Sequence, residues 1–105
     1  MDLLIDDTRD FNVDAIARTA AAAKKMLRIG GWDKIFFDHD LGSNVTGYDV
    51  LVYALENDFL NKSKIVFVTS NPIGRERMES ALKEYNFVVV RPNPYSYYWE
   101  KEDSQ

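Results

Sequence analysis

The sequence predicts an α/β fold, a three-layer sandwich in which a parallel sheet is covered on both faces. Two observations carry that prediction. Four short runs, Leu3–Ile5, Ile35–Phe37, Ile65–Val68 and Phe87–Val90, are apolar throughout rather than alternating, the pattern of strands buried on both sides. Stretches with helical apolar spacing separate most of them, and strand-helix alternation gives parallel strands joined by right-handed crossovers. Every strand then ends on one edge, where ligands bind in such sheets. The residues that follow the runs are Asp6-Asp7, Asp38-His39-Asp40, Thr69-Ser70-Asn71 and Arg91.

Each element has a local reason. Leu3–Ile5 runs into Asp6-Asp7, and Thr8 to Asn12 reads as loop rather than helix. Val13 to Ala17 is a second, weaker strand that ends at Arg18. Thr19 suits a helix N-cap because its hydroxyl can accept from a free first-turn N–H. Ala20 to Leu27 supplies strong helix formers, with Ala23, Met26 and Leu27 on one face, and Gly30-Gly31 stops the helix. Ile35–Phe37 forms the next strand, followed by a loop from Asp38 to Thr46. A helix from about Gly47 to Phe59 carries Tyr48, Leu51, Leu55 and Phe59 at core-facing spacing. Ile65–Val68 is closed by Thr69-Ser70-Asn71, after which Asn71-Pro72 opens a helix with Asn as cap and Pro at its first position. Met78, Ala81, Leu82 and Tyr85 form its buried stripe, and Phe87–Val90 is the last expected strand. The tail, with Tyr95, Tyr97, Tyr98 and Trp99, either packs back on the body or offers a partner surface, and Glu100 to Gln105 is expected to fray.

Composition narrows the function. The chain of 105 residues suffices for one core and not for two ordinary domains, so a single domain over 1–105 is expected, loose from about Tyr95. Without cysteine there is no disulfide, thiol nucleophile or thiolate metal site, which fits a cytoplasmic protein. No basic leader and no membrane-length apolar run is present, so no membrane partner is expected. A net charge of −4 disfavours long nucleic acid, whose binding needs clustered Lys and Arg. A small anionic ligand remains compatible where local cations meet it.

Three carboxylates, Asp6, Asp7 and Asp38, are expected to converge, and like charges at short range call for a cation or a shared proton. An oxygen-only donor set suits Mg²⁺ or a similar hard divalent cation. The alternative is that these acids cap helices and satisfy loop amides. His39 is either a general acid or base, since imidazole titrates near neutral pH, or a loop histidine bonded to hold the turn. Asp40 sits two residues beyond Asp38, where fixing the loop through Asx-type bonds is one role open to it, and the sequence leaves that role undecided. Thr69 or Ser70 would donate to a phosphoryl oxygen, while Arg9, Arg75 and Arg91 would form an anion clamp. Arg75 has the competing reading of a solvated helix residue, and Asn71 that of a helix cap. Lys24, Lys25 and Arg28 read as a solvated helix face.

This pattern resembles the receiver domain of response regulators, with paired acids after the first strand, an aspartate after the third, Thr or Ser after the fourth and Lys-Pro after the fifth. Here Arg91 stands where the receiver has lysine, and the stretch after Asp7 is too short for the usual first helix. A closer similarity is to the cyclic-phosphate processing receiver-like family. It rests on Ile5-Asp6-Asp7-Thr8-Arg9, Arg18-Thr19, Asp38-His39-Asp40-Leu41-Gly42, Gly47-Tyr48-Asp49-Val50-Leu51 and Asn71-Pro72-Ile73-Gly74-Arg75. Val68-Thr69 stands where many members carry His-Ser.

The resemblance implies a five-stranded parallel sheet in the receiver-like, flavodoxin-like order 2-1-3-4-5, with the first helix shortened or missing. It also implies a divalent-metal-dependent phosphoesterase acting on a small phosphorylated or cyclic-phosphate ligand. In that scheme Asp6, Asp7 and Asp38 hold Mg²⁺, His39 moves the proton, and Thr69 and Arg91 contact the phosphoryl group. Arg9, Ser70, Asn71 and Arg75 would line the substrate side. The alternative is a stand-alone receiver or pseudo-receiver that binds a protein partner, with or without phosphorylation of Asp38. A third reading is a phage or mobile-element accessory protein that works through the aromatic tail.

Overall fold

The computed structural model describes residues 1–102. The chain runs β1 (Asp2–Ile5), β2 (Ala15–Ala17), α1 (Ala20–Ile29), β3 (Lys34–Phe37), α2 (Gly47–Glu56), β4 (Lys64–Phe67), α3 (Pro72–Glu84), β5 (Phe87–Asn93) and β6 (Ser96–Lys101). The class is α/β and the architecture is receiver-like, as expected. One sheet has the order β2-β1-β3-β4-β6-β5, and its first four strands are parallel in register, with Leu3 beside both Ala15 and Ile35, and Ile35 beside Ile65.

The other half of the sheet departs from the expected five parallel strands. The aromatic tail returns as β6 and inserts antiparallel beside β4, with Trp99 opposite Ile65, and pushes β5 out to the edge. The reason is local. Pro94 and Tyr95 make a tight turn, closed by the Asn93 side chain, which accepts from the Tyr95 N–H at 2.9 Å. The alternating Tyr97-Tyr98-Trp99 segment then offers a large apolar side chain to the core, and Trp99 is buried. Of the outcomes open to the tail, the structure has it packed back on the body rather than loose as far as Glu102, while residues 103–105 lie outside the described residues.

The layer count differs as well. One core cluster unites Ala23 and Leu27 of α1, Val50, Leu51 and Leu55 of α2, and Met78 and Leu82 of α3 with the sheet residues Leu3, Ile5, Ile35, Phe37, Ile65 and Phe67. These sheet residues alternate along their strands and so share one face. All three helices pack there, and the described residues form two layers rather than three. The helix that would follow β1 is absent, and the tail supplies a strand where a helix would have returned.

Helix ends are placed by their caps. The Thr19 hydroxyl accepts from Ala22 N–H at 3.1 Å, and Thr46 and Asp49 form a reciprocal capping box on α2. Asn71 caps α3 by accepting from Gly74 N–H at 2.9 Å, with Pro72 in the first turn.

Candidate functional site

The sheet ladder extends one residue past the parallel strands, and this holds the edge residues in place. Asp6 N–H donates to Ala17 C=O at 3.1 Å, Asp38 N–H to Ile5 C=O at 2.9 Å, and Val68 N–H to Phe37 C=O at 2.9 Å. Asp6 is fully buried, Asp38 and Thr69 nearly so, and Asp7 is half-buried. Each of Asp6, Asp7 and Asp38 offers a carboxylate oxygen within 4.8 Å of the other two.

Asp6 is the best-satisfied acid. One oxygen accepts from the Thr8 and Arg9 amides at 2.9 and 3.0 Å, and the other accepts from the Arg9 guanidinium at 2.8 Å. Burial alone would push its carboxyl up, but the Arg9 amide and guanidinium and the Thr8 amide outweigh it and hold the group below its ordinary range. Arg9 reaches Asp38 as well, at 3.5 Å, and its own pKa is raised, chiefly through the Asp6 hydrogen bond. Asp38 behaves in the opposite way. Burial, and then the Asp6 charge, push its carboxyl up, against the Thr69 hydroxyl, the His39 amide and Arg9. The edge thus holds one acid fixed as carboxylate and a second whose charge is only partly compensated.

His39 is the chain's only histidine, and it is buried. Its Nδ1 lies 3.1 Å from Asp40 Oδ1, and its Nε2 is enclosed with no hydrogen-bond partner among the described residues. Asp40, undecided from sequence, therefore sits exposed on the imidazole. The ring is wedged under the first turn of α3, so close that a Cβ on Gly74 would fall 2.4 Å from Cγ and 2.8 Å from Nδ1. On the other side Gly47 lets α2 begin against the Asp38 carbonyl oxygen, 1.8 Å from where its Cβ would stand. Gly42, at φ +70, lets the loop pass Asp7 Oδ2, 3.3 Å from its own Cβ position.

The remaining expected residues divide. Arg75 is no free surface cation, since it donates to Thr69 C=O at 3.0 Å and to the Tyr97 hydroxyl at 3.1 Å and so ties β6 to the end of β4. The Thr69 hydroxyl accepts from Asn71 N–H at 3.1 Å, Asn71 itself serves as the cap, and Ser70 is exposed on the loop between them. Arg91 lies farther out than expected. It is on β5, separated from β4 by β6, and its guanidinium stacks over the Tyr97 ring at 4.9 Å. Sequence reasoning assigned no role to Arg18, which donates to Arg9 C=O at 2.5 Å and pairs with Asp10, pinning the loop that carries Arg9. Its only signal was the Arg18-Thr19 pair. Tyr97 and the two contact glycines, Gly47 and Gly74, gave none beyond lying in or near recognised motifs.

The arrangement can gather a hard cation or an arginine between buried carboxylates, next to a threonine hydroxyl and a histidine with one free nitrogen. The described residues contain no helix long and apolar enough to cross a membrane. The family model for the cyclic-phosphate processing receiver domain matches residues 1–84. No curated protein and no solved structure gives a significant match.

Proposed function

Because the chain belongs to the cyclic-phosphate processing receiver domain family, we propose that its polar sheet edge is a divalent-metal-dependent site for a cyclic phosphate or related phosphoester. The observation that carries the reading is the convergence of Asp6, Asp7 and Asp38 within 4.8 Å at the ends of two adjacent parallel strands. The donor chemistry fits a hard cation, because all the groups are carboxylates, and Asp38, pushed up first by burial, is pushed further by the Asp6 charge, a repulsion that a cation would relieve. Asp6, Asp7 and Asp38 would hold Mg²⁺, and when bound it would neutralise charge on a phosphoryl oxygen. Arg9 already serves Asp6 at 2.8 Å and Asp38 at 3.5 Å, so Asp38 and Asp7 are the acids more available to the ion.

The chain's own groups do the rest of the work in this reading. His39 would move the proton in this reading, its imidazole oriented by the contact between Nδ1 and Asp40. Thr69 donates its hydroxyl to the phosphoryl group, and Ser70 and Asn71 line the approach. Arg75 fixes the Thr69 carbonyl, Arg9 clamps the anion, and Arg91 meets only a ligand that extends outward over Tyr97. The test is turnover of a panel of cyclic nucleotides and cyclic sugar phosphates with Mg²⁺. Activity lost in Asp38→Asn and in His39→Ala is the expected result; a parent protein inactive on the whole panel would count decisively against the reading.

One observation favours a second reading. Arg9 occupies the acid cluster as an internal counter-ion, which would suit a pseudo-receiver that binds a protein partner without a metal. A stable acyl-phosphate or fluoroberyllate adduct on Asp38, together with a captured partner, would favour a signalling module.

A further inference from the structure

The sheet face opposite the helices carries a continuous apolar row. Register places Ile16 beside Leu4, Leu4 beside Phe36, Phe36 beside Val66, and Tyr98 opposite Val90, while Val66 and Tyr98 adjoin the Ile65–Trp99 pair and line one groove. One apolar residue from each of the six strands thus lies in a single line on the face away from α1, α2 and α3. None of the six belongs to the core cluster beneath the helices. At one end the loop after β1 roofs the row, with the Phe11 ring edge-on to Phe36 at 5.3 Å and Leu4 fully buried. Phe36, Val66 and Tyr98 of the row lie in a groove of ≈ 430 Å³, lined also by Lys34, Lys64 and Pro92.

Parallel strands are seldom left bare on one face, because their backbones and apolar side chains are normally covered by helices on both. Among the described residues one helical layer is present and the other is not. The four strands from β3 to β5 span about 14 Å, a width that about ten helical residues cross.

Charge indicates what kind of helix. Lys34 and Lys64 are register neighbours on this face, one step from the apolar row. Their ammonium groups lie over the rings of Phe36 and Tyr98 at 5.8 and 4.9 Å. Asp2 pairs with Lys34 in register and Glu100 follows Trp99, the partner of Ile65, yet neither lysine enters an ion pair among the described residues. In a chain of net charge −4, two adjacent unpaired lysines beside an apolar groove complement acidic groups on an incoming surface. We propose that this open sheet face is a docking groove for an acidic amphipathic helix of a partner protein, whose apolar stripe lies on Phe36, Val66 and Tyr98 and whose carboxylates meet Lys34 and Lys64. The inference is independent of the chemistry at the Asp38 edge.

The test titrates the full chain calorimetrically with two synthetic helices of about 16 residues, enough to overhang the groove. Both carry one leucine stripe, flanked in one by glutamate and in the other by lysine. The glutamate helix should bind at least about tenfold tighter, a difference worth about 1.4 kcal/mol. The double substitution Lys34→Glu and Lys64→Glu should reverse the preference in a protein whose fold is verified by a cooperative melting transition, and Val66→Asp should weaken both helices. Equal affinity for the two helices, no binding of either, or an unchanged preference in the double lysine variant would overturn the proposal. So would a concentration-dependent dimer in sedimentation that the double lysine variant or Val66→Asp dissolves, which would make a second copy of this chain the occupant.

Discussion

Gly47 and Gly74 hold the His39 loop from two sides, and alanine at each should give opposite signatures. A Cβ on residue 47 would stand 1.8 Å from the Asp38 carbonyl oxygen and 2.9 Å from its carbon. Both atoms are backbone, and Gly47 N–H also donates to His39 C=O at 2.7 Å, so relief requires moving the loop and losing that bond. Overpacking costs about 1–3 kcal/mol and a lost hydrogen bond about 1 kcal/mol more, against at most about 1 kcal/mol gained from alanine's helix propensity. Taking the overpacking at its upper end, because backbone cannot step aside as a rotamer can, Gly47→Ala should cost about 3 kcal/mol. In a domain of this size that is a fall in melting temperature of about 12 °C or more. At Gly74 the obstacle is a side chain, the imidazole at 2.4 Å, which can swing away from Asp40. Gly74→Ala should therefore cost about 1–2 kcal/mol and act mainly by displacing the ring. Calorimetric melting reads the first effect. Imidazole NMR at fixed pH reads the second without ambiguity, because the chain has a single histidine. A Gly47→Ala protein that melts within about 3 °C of the parent, under 1 kcal/mol, or unmoved imidazole resonances in Gly74→Ala, would refute the reasoning.

Asp38 and Asp6 should give stability slopes of opposite sign with pH. The Asp38 carboxyl is raised, by burial and then by the Asp6 charge, so stability falls as pH rises from the ordinary 3.8 through the raised value; Asp38→Asn should lack that decline and gain on the parent at neutral pH in melting curves. Asp6 is lowered, so the stability it contributes is present above 3.8 and lost as pH falls through its native value; Asp6→Asn should flatten that loss and, at neutral pH, cost about 2 kcal/mol, because Arg9 is left without its main partner. If Mg²⁺ binds as proposed, about ten times its Kd should add roughly 1.4 kcal/mol and raise melting by about 6 °C or more, and Asp38→Asn should abolish the shift. Arg9→Ala should tighten Mg²⁺ binding in titration calorimetry by removing the competing cation; weaker metal binding in that variant would contradict the site as described. Arg75→Ala should lower stability by about 1–2 kcal/mol through its bonds to Thr69 and Tyr97, and chemical denaturation checks this.

The edge of the sheet was legible because buried parallel strands announce themselves as unbroken apolar runs, and the residue after each run has one place to go. Asp6, Asp7, Asp38 and Thr69 follow from that rule, as do the caps at Thr19 and Asn71. Arg91 followed the same rule and moved, because the rule cannot tell which strand sits next to β4. Phe87–Val90 reads as a buried strand on its composition, yet Val88 and Val89 are exposed on the edge while Trp99 takes the place against Ile65. Tertiary competition between two apolar segments decided this, and neither segment's pattern records the outcome. Contacts that depend on a missing side chain, such as Gly74 on His39, leave no periodicity to read.

The loop from Asp6 to Asp14 connects the acid edge with the open face. Because β1 is followed by loop rather than helix, Arg9 comes round within three residues to Asp6, Arg18 fastens its carbonyl, and the acid cluster gains a built-in cation. The same loop carries Phe11 over Phe36 and roofs only the β1 end of the face that a first helix would have covered. A single shortening thus changes the electrostatics of the acid edge and bares the remaining apolar row. Restoring a helix after β1 would undo both at once, whereas Arg9→Ala touches only the first and Lys34→Glu only the second. The two consequences share an origin in the chain but can be separated by substitution, so metal affinity and helix docking should vary independently in those two variants.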